Sequence, residues 1–289
     1  MAKRQLNIGP TEKQIREAID KSGYLFEQKI GYRLKERGYL VTPNYNFEDI
    51  ETGKSREIDV YAISGVVKEK LDIDIWQLLL IECKKTSNPL VFFSQPKYEK
   101  LKKFEDYFEI VGVPESFNAG KDRGVVSLEN YLKLSDLSHR YKLSDTSSQF
   151  CMILRSHKEW EAKHEHIYDG MIAPLIKCLY YEKKEYRNSL PRETIQLRII
   201  YPIVIVDSEL YLMNSETNEM KRKMWILFYR QYESTNVKLT VKIDFVRYKY
   251  IDAYLNRIET SFNHICDRVI KNRDILLRKI KTKKFYMDD

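Results

Sequence analysis

At 289 residues, the chain is long enough to bury a substantial core, either as one elaborated domain or as two small ones. Lysine and arginine outnumber the acids by eight and the isoelectric point is near 9.0, a mild basic excess that suits a polyanionic partner. The apolar runs are too short to span a membrane, and the N-terminus has no signal segment of a secreted protein. The four cysteines form no CxxC pair, which argues against a zinc ribbon, and together these features predict a cytoplasmic protein.

Two helices are predicted near the N-terminus, the first N-capped by Thr11 and the second covering residues 24–37. On the second helix, the spacing of Glu27, Ile30 and Leu34 puts the three side chains on one stripe. This stripe should face a sheet, because its other members are apolar. An acid on such a stripe needs a partner there.

Three strands are predicted next, and the last two carry charged residues that can meet. A strand over residues 39–47 is followed by a strand in which the period of two puts Asp59 on the face away from the apolar row. The apolar run 78–81 then turns polar at its end, where Glu82 and Lys84 share a face. A buried strand thus ends in a charged pair beside a second acid. Residues 64–74 are predicted to be a charged connection between these two strands.

Carboxylates at the ends of neighbouring strands form an oxygen-rich site for a hard divalent cation such as Mg²⁺, for which Mn²⁺ can substitute. Lys84 has a separate role beside them. It can orient or help to deprotonate the water that attacks a phosphodiester, or it can stabilise the negative charge that develops there. Both roles stay open, as does a simpler alternative in which Glu82 and Lys84 form a surface pair and Asp59 faces solvent.

Asp59 followed on the next strand by Glu82-Cys83-Lys84 resembles the core motif of the PD-(D/E)xK nuclease superfamily. The resemblance covers residues 23–100, and Ile58 stands where many members have proline. It implies an α/β fold, the restriction-endonuclease-like mixed sheet core flanked by helices, here with a large insertion and a helical C-terminus. It also implies Asp59 and Glu82 as metal ligands and Lys84 as the catalytic lysine.

The same resemblance suggests two further site residues. Glu27 matches the acid that the family carries on a helix, as a metal ligand or a support for the metal or its water. Gln95 matches a glutamine that some branches place on a helix after the ExK strand, and here that helix is predicted to run to about Phe108. Tyr98 follows one residue too early for the QxxxY form, and Gln95 is equally well explained as an exposed residue of a first helical turn.

The rest of the chain is divided by composition. Residues 1–109 would hold the nuclease core, residues 110–149 an insertion or flexible joint, and residues 150–289 the remainder of the core. Further features are predicted in that third part: a strand at 150–154, a helix from 156 to 184 with a kink or break at Pro174, strands at 196–206, 209–213, 224–232 and 237–247, and a C-terminal helix with a basic tail. The apolar stripe of that C-terminal helix is predicted to comprise Tyr254, Ile258, Phe262, Ile265, Val269 and Leu276. His164 and His166 are expected to be surface residues, because neighbours two apart on a helix point to different sides.

The leading functional hypothesis is a Mg²⁺-dependent nuclease that hydrolyses phosphodiester bonds, with DNA favoured over RNA by the resemblance. An endonuclease of restriction, defence or recombination type is expected on family analogy. The alternative is a nuclease-like module that binds nucleic acid or a partner without cutting it. A third class is an interaction protein whose basic C-terminal helix docks on an acidic partner. A homo-oligomer or a partner protein is compatible with each of these classes.

Overall fold

The computed structural model describes residues 9–96, 105–118, 124–143, 145–164, 168–189 and 193–281. Within these ranges the α-helices are α1 Glu12–Ser22, α2 Tyr24–Glu36, α3 Leu128–Leu132, α4 Ala173–Ser189, α5 Ile251–Lys271 and α6 Arg273–Lys281. The strands are β1 Leu40–Glu48, β2 Ser55–Lys68, β3 Ile73–Lys84, β4 Leu90–Pro96, β5 Glu109–Val113, β6 Ser116–Asn118, β7 Val125–Ser127, β8 Asp145–Ser156, β9 Glu159–Lys163, β10 Ile195–Val206, β11 Leu210–Asn214, β12 Met220–Lys223, β13 Trp225–Glu233 and β14 Lys238–Arg247.

One large mixed sheet organises the described residues. It contains twelve strands, ordered β1-β2-β3-β10-β14-β13-β8-β4-β11-β12, with β5 also paired to β10 and β9 to β8. Its neighbours β3, β10 and β14 run parallel, whereas β1, β2 and β3 are joined antiparallel. The prediction of an α/β protein with a mixed sheet flanked by helices and with a helical C-terminus is confirmed at this level.

The sheet is covered by helices on both faces, and β3 illustrates why. Leu79 and Ile81 lie in a core shared with α2, α5 and α6, whereas Leu78 and Leu80 lie in a second core shared with α4. Successive residues of a strand point to opposite faces, so a strand buried on both faces is apolar at every position. The unbroken apolar run before Glu82 has this cause.

The N-terminal elements follow the predicted pattern. The Thr11 hydroxyl accepts a hydrogen bond from the backbone N–H of Gln14 at 3.3 Å, and the side-chain Oε1 of Gln14 accepts one from the backbone N–H of Thr11 at 2.8 Å. This capping box satisfies two donors at the start of α1. Pro43 lies on β1, the outermost strand of the sheet, where its missing N–H breaks no ladder.

The C-terminal stripe is also confirmed. Its members lie in the core along α5 and α6, which are separated at Asn272: Tyr254, Ile258, Phe262, Ile265, Val269 and Leu276. The last eight residues of the chain, which include the final two lysines of the basic tail, lie outside the described residues.

Two segments predicted as helix are strands. Residues 90–96 form β4, because Phe92 stacks on Phe150 of β8 with ring centroids 4.9 Å apart, a contact that local propensity does not reveal. The rest of that predicted helix falls largely on residues 97–104, outside the described residues. Likewise β8 turns at His157 and returns as β9, and α4 begins only at Ala173.

Two further predictions concern Pro174 and the segment between β2 and β3. Pro174 lies in the first turn of α4, directly after one π-helical turn over Tyr168–Ile172, so the helix changes type next to the predicted kink or break. Residues 64–74 are not a loose connection but the end of a long hairpin, in which β2 and β3 pair to Lys68 and Ile73. Gly65 lies against the Trp76 ring there, and a Cβ at Gly65 would come within 2.4 Å of it.

Residues 110–149, expected to be an insertion or a joint, contribute to the core in their described part. Val111 and Val113 of β5 are buried beside β10, and Arg140 is fully buried. Asp244 on β14 accepts hydrogen bonds from Arg140 at 2.8 and 3.0 Å and from Tyr254 at 2.8 Å. The division of the chain at residues 109 and 149 stays a prediction.

None of the helices in the described part of the chain is both long and apolar enough to cross a membrane. The longest of them, α5, has nine buried positions, and its other residues are more exposed and include several charged side chains. Its apolar stripe is used against the sheet.

Candidate active site

Asp59 and Glu82 meet where β2 and β3 part. The two strands are antiparallel, and the register ends with Val60 beside Ile81. The next residues outward are Asp59 and Glu82, because antiparallel partners advance in opposite directions. Beyond this point β3 continues beside β10, with Val204 next to Glu82. Both acids therefore lie at the end of a hairpin, on the rim of the sheet.

The Asp59 carboxylate is held against β3. Its Oδ2 accepts a hydrogen bond from the backbone N–H of Cys83 at 2.6 Å. Burial raises the pKa of Asp59 above its ordinary value of 3.8, and the Cys83 N–H, a hydrogen bond with Glu82 and the charge of Lys84 oppose this rise. The Asp59 carboxylate thus accepts the β3 hydrogen bond that a backbone carbonyl of β2 would otherwise accept, and this bond fixes its orientation.

Glu82 is the most deeply buried of the predicted site acids. Only 7% of its surface is exposed. Burial is the main cause that raises the pKa of Glu82 well above 4.5, and the negative charges of Asp59 and Glu27 raise it further, against the opposing charge of Lys84. Such an acid favours its protonated form unless a cation joins the group.

Glu27 reaches the same group of charges from the helix layer. It is half-buried near the start of α2, between Phe26 and Ile30, which are in the core. Burial raises the pKa of Glu27 above 4.5, and the charge of Asp59 raises it further. Glu27 therefore lies close enough to Asp59 and Glu82 for their charges to interact, as the predicted stripe on α2 implies.

The strand period separates the two lysines at the end of β3. Lys84 is exposed, and its charge lowers the pKa of both Asp59 and Glu82, so it lies near both acids. Lys85 is directed elsewhere. Its Nζ donates to the backbone carbonyl of Asp20 on α1 and lies 3.9 Å from the carboxylate of that residue.

Gln95 does not lie on a helix. It is the sixth residue of β4 and pairs with Thr146 of β8. Its side chain and all of Tyr98 lie outside the described residues, so their predicted roles stay predictions. The correction concerns only the element that carries Gln95, since long-range pairing with β8 decided it.

A divalent cation suits these acids by donor chemistry. Asp59, Glu82 and Glu27 supply only oxygen donors, and each acid has a pKa raised by burial and by a neighbouring negative charge, which a bound cation would offset. Over the described ranges, however, no group of three or more His, Cys, Asp or Glu side chains is arranged to hold a metal ion.

A further charged residue at this rim was not singled out from the sequence. Val206 of β10 is in register with Lys84 of β3 on one side and with Arg247 of β14 on the other. The signal that identified Lys84, an apolar strand turning polar at its end, is also present in the run that leads to Arg247. Only the strand order makes it a neighbour of the site.

The arrangement combines a fixed carboxylate, a buried carboxylate with a raised pKa and an exposed lysine at one end of adjacent strands. Such a group can bind a hard cation and can assist proton transfer at a phosphate ester. No family model, no curated protein and no solved structure matches this chain significantly.

Proposed function

We propose that this protein is a metal-dependent nuclease that hydrolyses phosphodiester bonds in DNA. The observation that supports the proposal most is the meeting of Asp59 and Glu82 at the rim, with Lys84 two residues further along the same strand. Burying two acids together costs free energy unless a cation or a proton compensates for it, so packing alone does not explain the pair. The choice of DNA and an endonuclease role in restriction, defence or recombination rest on resemblance to the PD-(D/E)xK superfamily.

In this proposal, each side chain has a separate task. Asp59 and Glu82 would hold Mg²⁺, and Glu27 would support the metal or its water. Mg²⁺, when bound, supplies Lewis-acid polarisation of the phosphate and a lower pKa for water. The hydrogen bond from Cys83 keeps Asp59 in one orientation. Lys84 Nζ either orients the attacking water and takes its proton or stabilises the negative charge on the phosphate.

The finer fold and location belong to the same proposal. We infer a restriction-endonuclease-like core, in which β1, β2, β3 and β10 carry the site and α2 covers one face. We also infer action in the cytoplasm, where cysteines stay reduced and Mg²⁺ is abundant. The free thiols of Cys83, Cys151, Cys178 and Cys266 agree with that compartment.

The direct test is incubation of the purified protein with supercoiled plasmid and with linear DNA, in Mg²⁺, Mn²⁺ or EDTA. We expect cleavage with either metal and none with EDTA. Open-circular or linear plasmid as the first product would identify an endonuclease. DNA binding without cleavage in any metal would contradict the proposal and support the non-cleaving module instead.

Asp59→Asn is expected to weaken Mg²⁺ binding roughly tenfold or more. DNA cleavage should fall together with the Mg²⁺ affinity. The change is nearly isosteric but removes the charge that a hard cation requires. Calorimetric titration with Mg²⁺ measures the affinity. Asp72→Asn is the matched control, because Asp72 lies at the other end of the same hairpin and is exposed. Unchanged Mg²⁺ affinity with lost cleavage would assign Asp59 another role.

A further inference from the structure

A basic cluster lies on the same rim as the acids, two strands away. The parallel register puts Lys84, Val206 and Arg247 side by side across β3, β10 and β14. Residues at one level of a parallel sheet point to the same face, and two strand spacings amount to about 10 Å. The chain beyond Arg247 and the β11–β12 hairpin therefore emerge close to Lys84. The basic cluster comprises Tyr211, Arg222, Arg247, Lys249 and Tyr250.

The cluster is held together by one acid and two tyrosine rings. Glu209 binds the guanidinium of Arg247 and lies 3.0 Å from Nε of Arg222. The Arg247 guanidinium lies 5.2 Å from the centre of the Tyr250 ring. Lys249 approaches the same ring at 5.8 Å, and Arg222 lies 5.8 Å from the ring of Tyr211. The cations thus outnumber the acid in this cluster by three to one.

Two details separate the arginine that is fixed inside the cluster from the arginine that an outside anion can reach. The Arg247 side chain is only 10% exposed, and its Nε finds no hydrogen-bond acceptor among the described residues. A buried guanidinium N–H without an acceptor is costly, because its hydration is lost without replacement. Arg222, by contrast, is 61% exposed, so its ion pair with Glu209 contributes little and is easily exchanged.

We propose that the basic cluster binds the DNA backbone beside the scissile phosphate, with Arg222 and Lys249 contacting phosphates. Arg222 would leave Glu209 for a phosphate, whereas the buried Arg247 would keep Glu209 as its partner. This inference rests on the proposed function, since it names the surface on which the same DNA strand would lie. Arginine pairs with phosphate through two parallel hydrogen bonds, which suits a guanidinium at present shared with a carboxylate. Such contacts position the backbone without reading its sequence.

The test is equilibrium binding of a fluorescently labelled DNA duplex to the full chain in EDTA, over a range of NaCl concentrations. R222A and K249A are each expected to weaken binding roughly eightfold at about 0.1 M NaCl and to reduce the salt slope by about 0.9. E209Q should strengthen binding, because it removes a negative charge beside the phosphate and keeps an oxygen for Arg247. A purely structural role for Glu209 would not increase affinity.

K221A is the matched control, because Lys221 lies on the same strand as Arg222 but points to the opposite face, where it pairs with Glu219. The inference would be overturned if R222A and K249A had the same affinity for the duplex as K221A. It would also be overturned if E209Q bound the duplex no more tightly than the wild type. Wild-type cleavage in Mg²⁺ is scored separately. If the wild type cleaves DNA but R222A binds DNA as tightly as the wild type, the proposed binding surface is wrong and the proposed nuclease activity stands. If the wild type does not cleave DNA but R222A binds it more weakly, the binding surface stands and the nuclease activity is wrong.

Discussion

Glu82→Gln is expected to reduce Mg²⁺-dependent cleavage roughly a thousandfold or more, since a bound metal stabilises the transition state by several kcal/mol. The same substitution should raise the Tm of the metal-free protein at pH 8. Glutamine preserves the shape of a side chain that is 7% exposed but cannot ionise, so the folded protein no longer has to hold a proton there against burial and the charges of Asp59 and Glu27. Loss of activity with a gain in stability is the signature of a residue kept for function.

The gain in Tm should depend on pH in one direction. Because the folded protein raises the pKa of Glu82 above 4.5, the folded state keeps this proton while the unfolded state loses it. The wild-type contribution is therefore favourable below about pH 4.5 and is lost as the pH rises through the raised pKa. Melts of Glu82→Gln and wild type should converge near pH 4.5 and separate towards pH 8.

Lys84→Ala completes this experiment and should slow cleavage by about 10²–10⁴-fold with an unchanged Tm, because Lys84 is exposed. Two neighbours serve as matched controls. Glu57→Gln alters an exposed acid two residues before Asp59, and Lys85→Ala alters the lysine that binds Asp20. Full cleavage by Glu82→Gln or Lys84→Ala, or unfolding of either at ambient temperature, would reject the assignment of the site.

Asp244→Ala is expected to reduce the free energy of unfolding by about 3–5 kcal/mol, the largest stability effect of any single change proposed for this chain. It leaves the Arg140 guanidinium buried without its counter-charge and removes the acceptor of the Tyr254 hydroxyl. Although burial by itself raises the pKa of Asp244, the charge of Arg140 lowers it well below its ordinary range. Its contribution is therefore present above about pH 3.8 and is lost as the pH falls through the lowered pKa.

Urea unfolding measures this effect, and Asp252→Ala is its control. Asp252 forms an ion pair with Arg33, but both side chains are 43% exposed, so a loss below about 1 kcal/mol is expected there. Asp244→Asn, which keeps the volume of the side chain, covers the case in which Asp244→Ala does not fold. If Asp244→Asn has the same free energy of unfolding as Asp252→Ala, the ion pair between Arg140 and Asp244 does not hold the segment that carries Arg140 to β14.

The sequence by itself determined the elements whose signals are local. Thr11 with Gln14 specifies a capping box, the stripe of α5 specifies a buried helix face, and the run before Glu82 specifies a strand buried on both sides. Each pattern repeats within a few residues, so it needs no knowledge of a partner. The sequence also placed Asp59 and Glu82 on consecutive strands, but the hairpin that aligns the two acids was not predicted, and their role in a metal site stays a prediction.

The tertiary structure alone decided what depends on distant partners. β4 is a strand because Phe92 meets Phe150, and Arg140 is buried because Asp244, 104 residues later in the chain, faces it. Arg247 joins the rim of Lys84 only because β10 inserts between β3 and β14. Local propensity carries free energies of tenths of a kcal/mol per residue, whereas a buried aromatic contact or ion pair changes stability by several, so the distant partners prevail.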